Sequence, residues 1–394
     1  MAEYELWLTD DAGRRMRVLK DIAFFTYTRV VDGLGTCSFG LPFELMQDLI
    51  PYFQPDWRVE IWRSPAYGIA MRREDVYLLR KPMVYTRVDN VQMIQYYGRN
   101  GVDLLKRRTV IQRAGTSYAL KTDSIDNLMK AYVRQQMLYG SALDEDGAVD
   151  NTRAWPQNEF TVQADGGLGP SVTRDFADKN VFDLCKDLQK TSEQYALDSA
   201  SNRRIHFDVV AVDVAGSSTS TNAPLGWEFR TYADLRGTDR TGGLRFSLEN
   251  ENIKQPNFDV DHLDEVTAVF VRGNGNGASQ LVTSVEDSTR LNASRWNRVE
   301  RTVNASGEVS VTGLQNAGRV ELGKGIPREK LTVTMLNSPG GRNVPRSLYG
   351  VDWDLGDLVG VDYAGRNFDV EISTVYVSVN EDGKEEITGR SDVQ

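Results

Sequence analysis

Residues 83–108 constrain this chain more than any other stretch. Residues 83–88 and 91–97 both alternate apolar or aromatic with polar side chains, the period of a half-buried strand. Between them stands Asp89-Asn90, a pair whose short polar side chains tolerate left-handed backbone and bond locally, so the two arms read as a hairpin. After Gly98 the period changes to one helical turn, Val102-Asp103-Leu104-Leu105, closed by Lys106-Arg107-Arg108. Most of what precedes this stretch reads as strand, and the first long helical patterns follow it. The stretch is therefore expected to be the closing edge of an N-terminal β-domain.

The rest of that domain is expected in short strands at 4–8, 16–22, 24–31, 37–41, 58–63 and 77–79, with turns at Asp10-Asp11-Ala12-Gly13 and Asp32-Gly33-Leu34-Gly35. Proline at both ends of 42–51 predicts one short helix there. Residues 116–200 read as helix and loop. Ser124 is placed to cap a helix with Ile125, Leu128, Met129, Tyr132, Val133 and Met137 at helical spacing, ended by Gly140. Asn180 is placed to cap a second, with Val181, Leu184, Cys185, Leu188 and Tyr195 on one face. From Arg204 the period returns to two, predicting strands at 205–214, 227–231, 244–248, 266–272, 280–285, 297–303, 331–335, 358–363 and 368–379. Residues 216–222 and Pro339-Gly340-Gly341 read as exposed loops. Whether 286–330 holds a helix stays open. The fold class is mainly β with α insertions, and 394 residues suffice for two or three domains.

Charge is uneven. Residues 1–120 carry 17 Lys/Arg against 14 Asp/Glu, whereas 121–394 carry 29 against 42. An acidic excess argues against nucleic acid as a tight partner, which needs cations to neutralise phosphates. No run approaches the ~18 apolar residues of a membrane span, so no membrane anchor is expected. The first residues lack the basic start and apolar centre of a secretory leader, which predicts synthesis in a cytoplasm. Cys37 and Cys185, far apart, read as two buried thiols rather than a disulfide or metal site.

The candidate chemistry is thin. His206 and His262 are the two histidines; neither has partners at catalytic or zinc spacing, and His206 reads as a strand residue without function. Asp259-Val260-Asp261-His262-Leu263-Asp264-Glu265 is rich in oxygen ligands for Ca²⁺, yet Leu263 stands where a ligand is needed, and a solvated turn is the plainer reading. Asp144-Glu145-Asp146-Gly147 fails the EF-hand register in the same way. Gly273-Asn274-Gly275-Asn276-Gly277 follows a strand, but another strand follows it, so no helix N-terminus faces a phosphate and the loop reads as a hairpin turn. Lys106-Arg107-Arg108 is too short for a nucleic-acid patch and reads as a salt-bridged surface or interface. The seven tryptophans, Trp7, Trp57, Trp62, Trp155, Trp227, Trp296 and Trp353, are scattered singly, and core packing is their default reading. No catalytic, cofactor or metal residues are assigned.

Taken in order, several segments resemble the tail-hub (baseplate-hub or tail-tip) proteins of long-tailed bacteriophages. Gly35-Thr36-Cys37-Ser38-Phe39-Gly40-Leu41-Pro42 is similar to that family's early strand, and Gly98–Asn100 through Arg108 to the motif ending its first barrel. Gly237-Thr238-Asp239-Arg240-Thr241 with 244–253, then 269–277, then Leu355-Gly356-Asp357-Leu358-Val359-Gly360-Val361 resemble its later segments. The loop 216–222 and the connection 140–170 match nothing in it. The resemblance implies two tail-tube-like β-barrels per chain, at 1–115 and 201–394, around a helical insertion at 116–200 and with an inserted segment near 286–330. It implies a homotrimer forming a pseudo-sixfold ring, with a tail-tube protein above and a spike, central fibre or receptor-binding protein below. It further implies a structural, non-enzymatic virion component through which DNA passes, no cofactor, and Lys106, Arg107 and Arg108 at a structural interface. Two other functions stand beside it: a tail-associated cell-wall hydrolase and a host-receptor or carbohydrate-binding module.

Overall fold

In the computed structural model, which describes residues 2–46, 54–111, 121–174, 179–198, 203–214, 224–306, 310–342 and 344–393, seven strands precede the first α-helical turn among the described residues. They are β1 (Glu3–Thr9), β2 (Arg15–Leu19), β3 (Phe24–Val30), β4 (Thr36–Pro42), β5 (Arg58–Ser64), β6 (Arg72–Thr86) and β7 (Gln92–Asn100). The β6–β7 hairpin turns where expected. Asn90 takes φ +66°, its N–H donates to Arg87 O at 3.0 Å, and the Arg87 N–H donates to Val91 O at 2.9 Å. One strand, β6, absorbs both the expected 77–79 strand and the first hairpin arm, because a bulge between Leu79 and Lys81 lets the register slip without ending it. Residues 43–46 form a 3-10 turn (Phe43–Met46); the rest of the helix expected at 42–51, and the loop 216–222, lie outside the described residues.

The helical turn α1 (Asp103–Lys106) closes this stretch as the sequence predicts. Gly101 just before it is required by close approach: a Cβ there would lie 2.5 Å from the Trp227 ring and 2.6 Å from Val209 O. After β8 (Lys121–Ser124) come α2 (Ile125–Met137), β9 (Phe160–Val162), β10 (Ser171–Arg174), α3 (Val181–Asp198), β11 (Ile205–Asp213), β12 (Leu225–Ala233) and β13 (Arg245–Ser247). Asn180 does cap α3, its Oδ1 accepting from Asp183 N–H at 2.9 Å. Ser124 precedes α2 but makes no side-chain cap. The expected stripes of both helices are buried in one apolar cluster with Ile205, Phe207, Val209, Trp227 and Phe229; Tyr195, expected on the α3 stripe, is exposed instead.

The remaining elements are β14 (Ile253–Asp261), β15 (Ala268–Arg272), β16 (Val282–Glu286), α4 (Ser288–Leu291), β17 (Glu300–Asn304), α5 (Val311–Lys324), β18 (Arg328–Leu336), β19 (Leu358–Tyr363), β20 (Arg366–Glu371), β21 (Thr374–Val379) and β22 (Glu385–Val393). The open question over 286–330 is answered by α5, capped by Ser310. The strand expected at 368–379 is two, β20 and β21, and β14 and β22 were not expected. β14 carries Pro256 and five polar residues, a composition tolerated on a sheet edge, where no second ladder needs the missing N–H.

The chain divides into two compact units, Met1–Gln255 with Val333–Ser391, and Pro256–Thr332 with Asp392–Gln394. The first is built on an antiparallel ladder in the order β22-β21-β3-β4-β7-β6-β5-β1-β2, to which β18 and β14 add at the β22 end. The second-last strand, β21, thus pairs directly with the third: Val377 lies opposite Tyr27. Among the described residues this ladder ends at β2 and β14 and does not close on itself. In the second unit β15 lies between antiparallel β16 and parallel β17, and α5 covers the sheet through Leu314 and Leu322.

Candidate functional site

β11 has two unlike faces. Ile205, Phe207 and Val209 point into the apolar cluster against α2 and α3, with the Phe182 ring 6.0 Å from that of Phe207. The alternate residues, His206 and Asp208, are also buried, but they meet ions. His206 Nδ1 lies 2.6 Å from Asp32 Oδ2 and its Nε2 lies 3.2 Å from Asp234 O. Asp32, held at φ +52° in the turn after β3, also accepts the Phe207 N–H through Oδ1 at 2.6 Å. Burial opposes a charge on His206, but the Asp32 bond and charge, with Glu371, outweigh it and raise its pKa above the ordinary imidazole value. His206 lies in a strand, as its sequence position predicts, and joins β11 to the turn after β3.

Two residues on, Asp208 pairs with Arg236 Nε at 2.9 Å and opens into a polar cavity of about 250 Å³ lined also by Arg29, Arg73, Asp75 and Asn100. Asp75 takes a hydrogen bond from the N–H of Val76 at 2.8 Å. Burial, with Asp208 nearby, pushes its carboxyl up to about 6 against the pull of Arg29. Beyond the cavity, Arg29 donates to Tyr349 Oη at 2.6 Å and Asp354 Oδ1 at 2.9 Å. Arg72 bridges Glu74 and Asp354, each at 2.9 Å, and Tyr349 donates to Glu74. Arg63, fully buried, holds Glu385 at 2.8 Å and Tyr349 O at 3.0 Å. The Arg63 and Arg72 guanidiniums lie 5.1 and 5.6 Å from the Tyr349 ring centroid. This network fastens the segment 349–385 to β3, β5 and β6, and Tyr4 of β1 also donates to Glu385. Sequence reasoning missed it because its partners lie about three hundred positions apart; the available signal was charge in strand positions, Arg72-Arg73-Glu74-Asp75 above all.

The expected interface residues turn toward their own chain. Lys106 Nζ sits 4.7 Å from the Phe182 ring centroid on α3. Arg107 bridges Asp103 at 2.8 Å and Asp56 at 2.7 Å. Arg108 lies 3.6 Å over the Trp155 ring and donates to Arg153 O at 3.0 Å. Elsewhere, 273–277 is a hairpin loop between β15 and β16. The acidic stretch 259–265 begins inside β14 and ends in a turn where His262 Nδ1 meets Glu265 at 3.0 Å. Both cysteines are free and buried, and burial pushes both thiols up. Trp353 is fully buried, but Trp296 is 90% exposed, against its core reading. Among the described residues no group of three or more His, Cys, Asp or Glu could hold a metal ion, and no helix is long and apolar enough to cross a membrane. What the buried ions do is join distant segments.

A family profile described as Siphovirus ReqiPepy6 Gp37-like protein matches residues 5–389. No curated protein sequence matches the chain. Among solved structures, the 43 kDa tail protein of prophage MuSo2 from Shewanella oneidensis is 11% identical over 98% of each chain, with a TM-score of 0.52. The tail protein from Neisseria meningitidis MC58 is 10% identical over 99% of this chain and 96% of its own, with a TM-score of 0.49. Prophage tail protein gp18 from Listeria monocytogenes EGD-e is 11% identical over 98% and 94%, with a TM-score of 0.48. At such identities the Shewanella likeness establishes a shared fold.

Proposed function

This chain belongs to the Siphovirus ReqiPepy6 Gp37-like protein family, and we propose on that premise that it is a structural, non-enzymatic tail-hub protein of a phage virion. In this reading it sits at the distal end of the tail as a homotrimer. Two tube-like β domains per chain, at 1–115 and 201–394 around the helical insertion at 116–200, would present a pseudo-sixfold ring to the sixfold tube. A spike, central fibre or receptor-binding protein would attach below, and DNA would leave along the axis. The observation that carries the reading is the family match over nearly the whole chain, supported by the fold shared with a prophage tail protein. Two features agree with it. The ladder's ends at β2 and β14 are edges that neighbouring subunits can cover, and the acidic excess suits a wall that DNA passes without displacing counterions. Lys106, Arg107 and Arg108 then serve by tying the stretch after β7 to the helical insertion. Native mass spectrometry of the purified chain tests the assembly: a trimer is expected, and a monomer at every concentration would count against it.

A second reading has one observation in its favour. Trp296, nearly fully exposed beside Arg295, is the aromatic surface a carbohydrate-binding module needs. Binding on a glycan array that Trp296→Ala abolishes would support it.

A further inference from the structure

Both ring nitrogens of His206 face atoms that only accept hydrogen bonds, the Asp32 carboxylate on one side and the Asp234 carbonyl on the other. A neutral imidazole has one donor, so it leaves one of these contacts as lone pair against lone pair; the imidazolium satisfies both. The same Asp32 carboxylate holds the Phe207 N–H, so backbone and side chain of β11 hang on one acceptor. The surroundings are charged on every side. Glu371 of β20 comes within 3.9 Å of Nε2, and Arg204, just before β11, lies 4.0 Å from that same carboxylate. From α3, Glu193 acts on Glu371 and Cys185 lies near Asp32. One Glu371 oxygen, Oε1, is buried with no hydrogen-bond partner among the described residues.

We propose that His206 is a pH-sensitive latch: as an imidazolium it clasps β11 to the turn after β3, and losing its proton releases that clasp. The direction follows from linkage. The folded imidazole holds its proton more tightly than a free one, by the Asp32 bond. Its contribution is therefore fully present below the ordinary imidazole range and is lost as pH rises through the higher, folded value. Between those limits opening releases one proton, so the opening constant rises by up to about tenfold per pH unit and levels off above them. The clasp is tight in mild acid and loosens in mild alkali.

The test uses the full chain. With two histidines, a ¹³C-histidine NMR titration gives two ring signals, and His262→Gln, at an exposed position, assigns them. The His206 ring is expected to titrate above a free imidazole; a His206 that titrates at or below the free imidazole value overturns the proposal. Hydrogen exchange at the Phe207 amide, corrected for its intrinsic pH dependence, is expected to lose protection in the wild type as pH rises above the ordinary imidazole range and to be flat in His206→Gln. Equal slopes in the two proteins overturn it. If His206→Gln does not fold, the wild-type titration and exchange decide alone.

Discussion

One strand, β11, divides two kinds of interior. On one side Ile205, Phe207 and Val209 meet α2 and α3 in an apolar cluster, with the buried ion pair Asp126–Lys130 on α2. On the other, His206 and Asp208 face a layer that runs through Asp32, Asp75, Arg236 and Arg29 to the network of Arg63, Arg72, Glu74, Tyr349, Asp354 and Glu385. The apolar side gains stability mainly by removing area from water, a contribution that does not itself depend on pH. The ionic side gains little net stability from pairing, because desolvation offsets attraction, but it punishes any missing partner. It is also specific: a carboxylate finds its guanidinium at one register only, which suits a seam joining residues from both ends of the chain.

The difference is open to measurement. Phe207→Ala, which hollows the apolar side, is expected to cost about 4 kcal/mol in denaturant unfolding; a loss under 1 kcal/mol would mean that this side does not carry the first unit. Arg63→Met strands Glu385 and is expected to cost about 3 kcal/mol. Adding Glu385→Gln should recover part of that loss, whereas an additive further loss would contradict the view that a stranded charge, not the pair itself, sets the cost. Asp75→Asn goes the other way. Its carboxyl titrates at about 6 in the fold against 3.8 when free, so the folded state binds the extra proton in between, stability falls as pH rises through that window, and the full cost is present above it. The Asn variant should therefore be more stable than wild type at pH 8, by about 2 kcal/mol, and match it near pH 4. Equal stability at pH 8 would remove Asp75 from the ionic layer.

The apolar side was legible in the sequence because helical spacing is local: Ile125, Leu128, Met129, Tyr132, Val133 and Met137 announce their own face, and Asn180 its own cap. The hairpin at Asp89-Asn90 was legible for the same reason. The ionic side was not. Nothing near His206 in sequence points to Asp32, and Arg63 gives no hint of Glu385. The pairing of β21 with β3 is equally silent, since a period of two shows that a residue lies in a strand and not beside which strand. β6 misled because a bulge preserves the strand while breaking the alternation. Lys106, Arg107 and Arg108 were visible as a cationic cluster, but their partners Phe182, Asp56 and Trp155 come from three separate segments.

The account turns on where this chain sits and in how many copies. Cryo-electron microscopy of intact virions, reconstructed at the distal tail without imposed symmetry, measures both. The expected result is three copies of this fold around the axis, one ring below the sixfold tube, with the β2 and β14 edges covered by neighbours. A tail end that lacks the chain, or holds it as a single peripheral copy, would contradict the account.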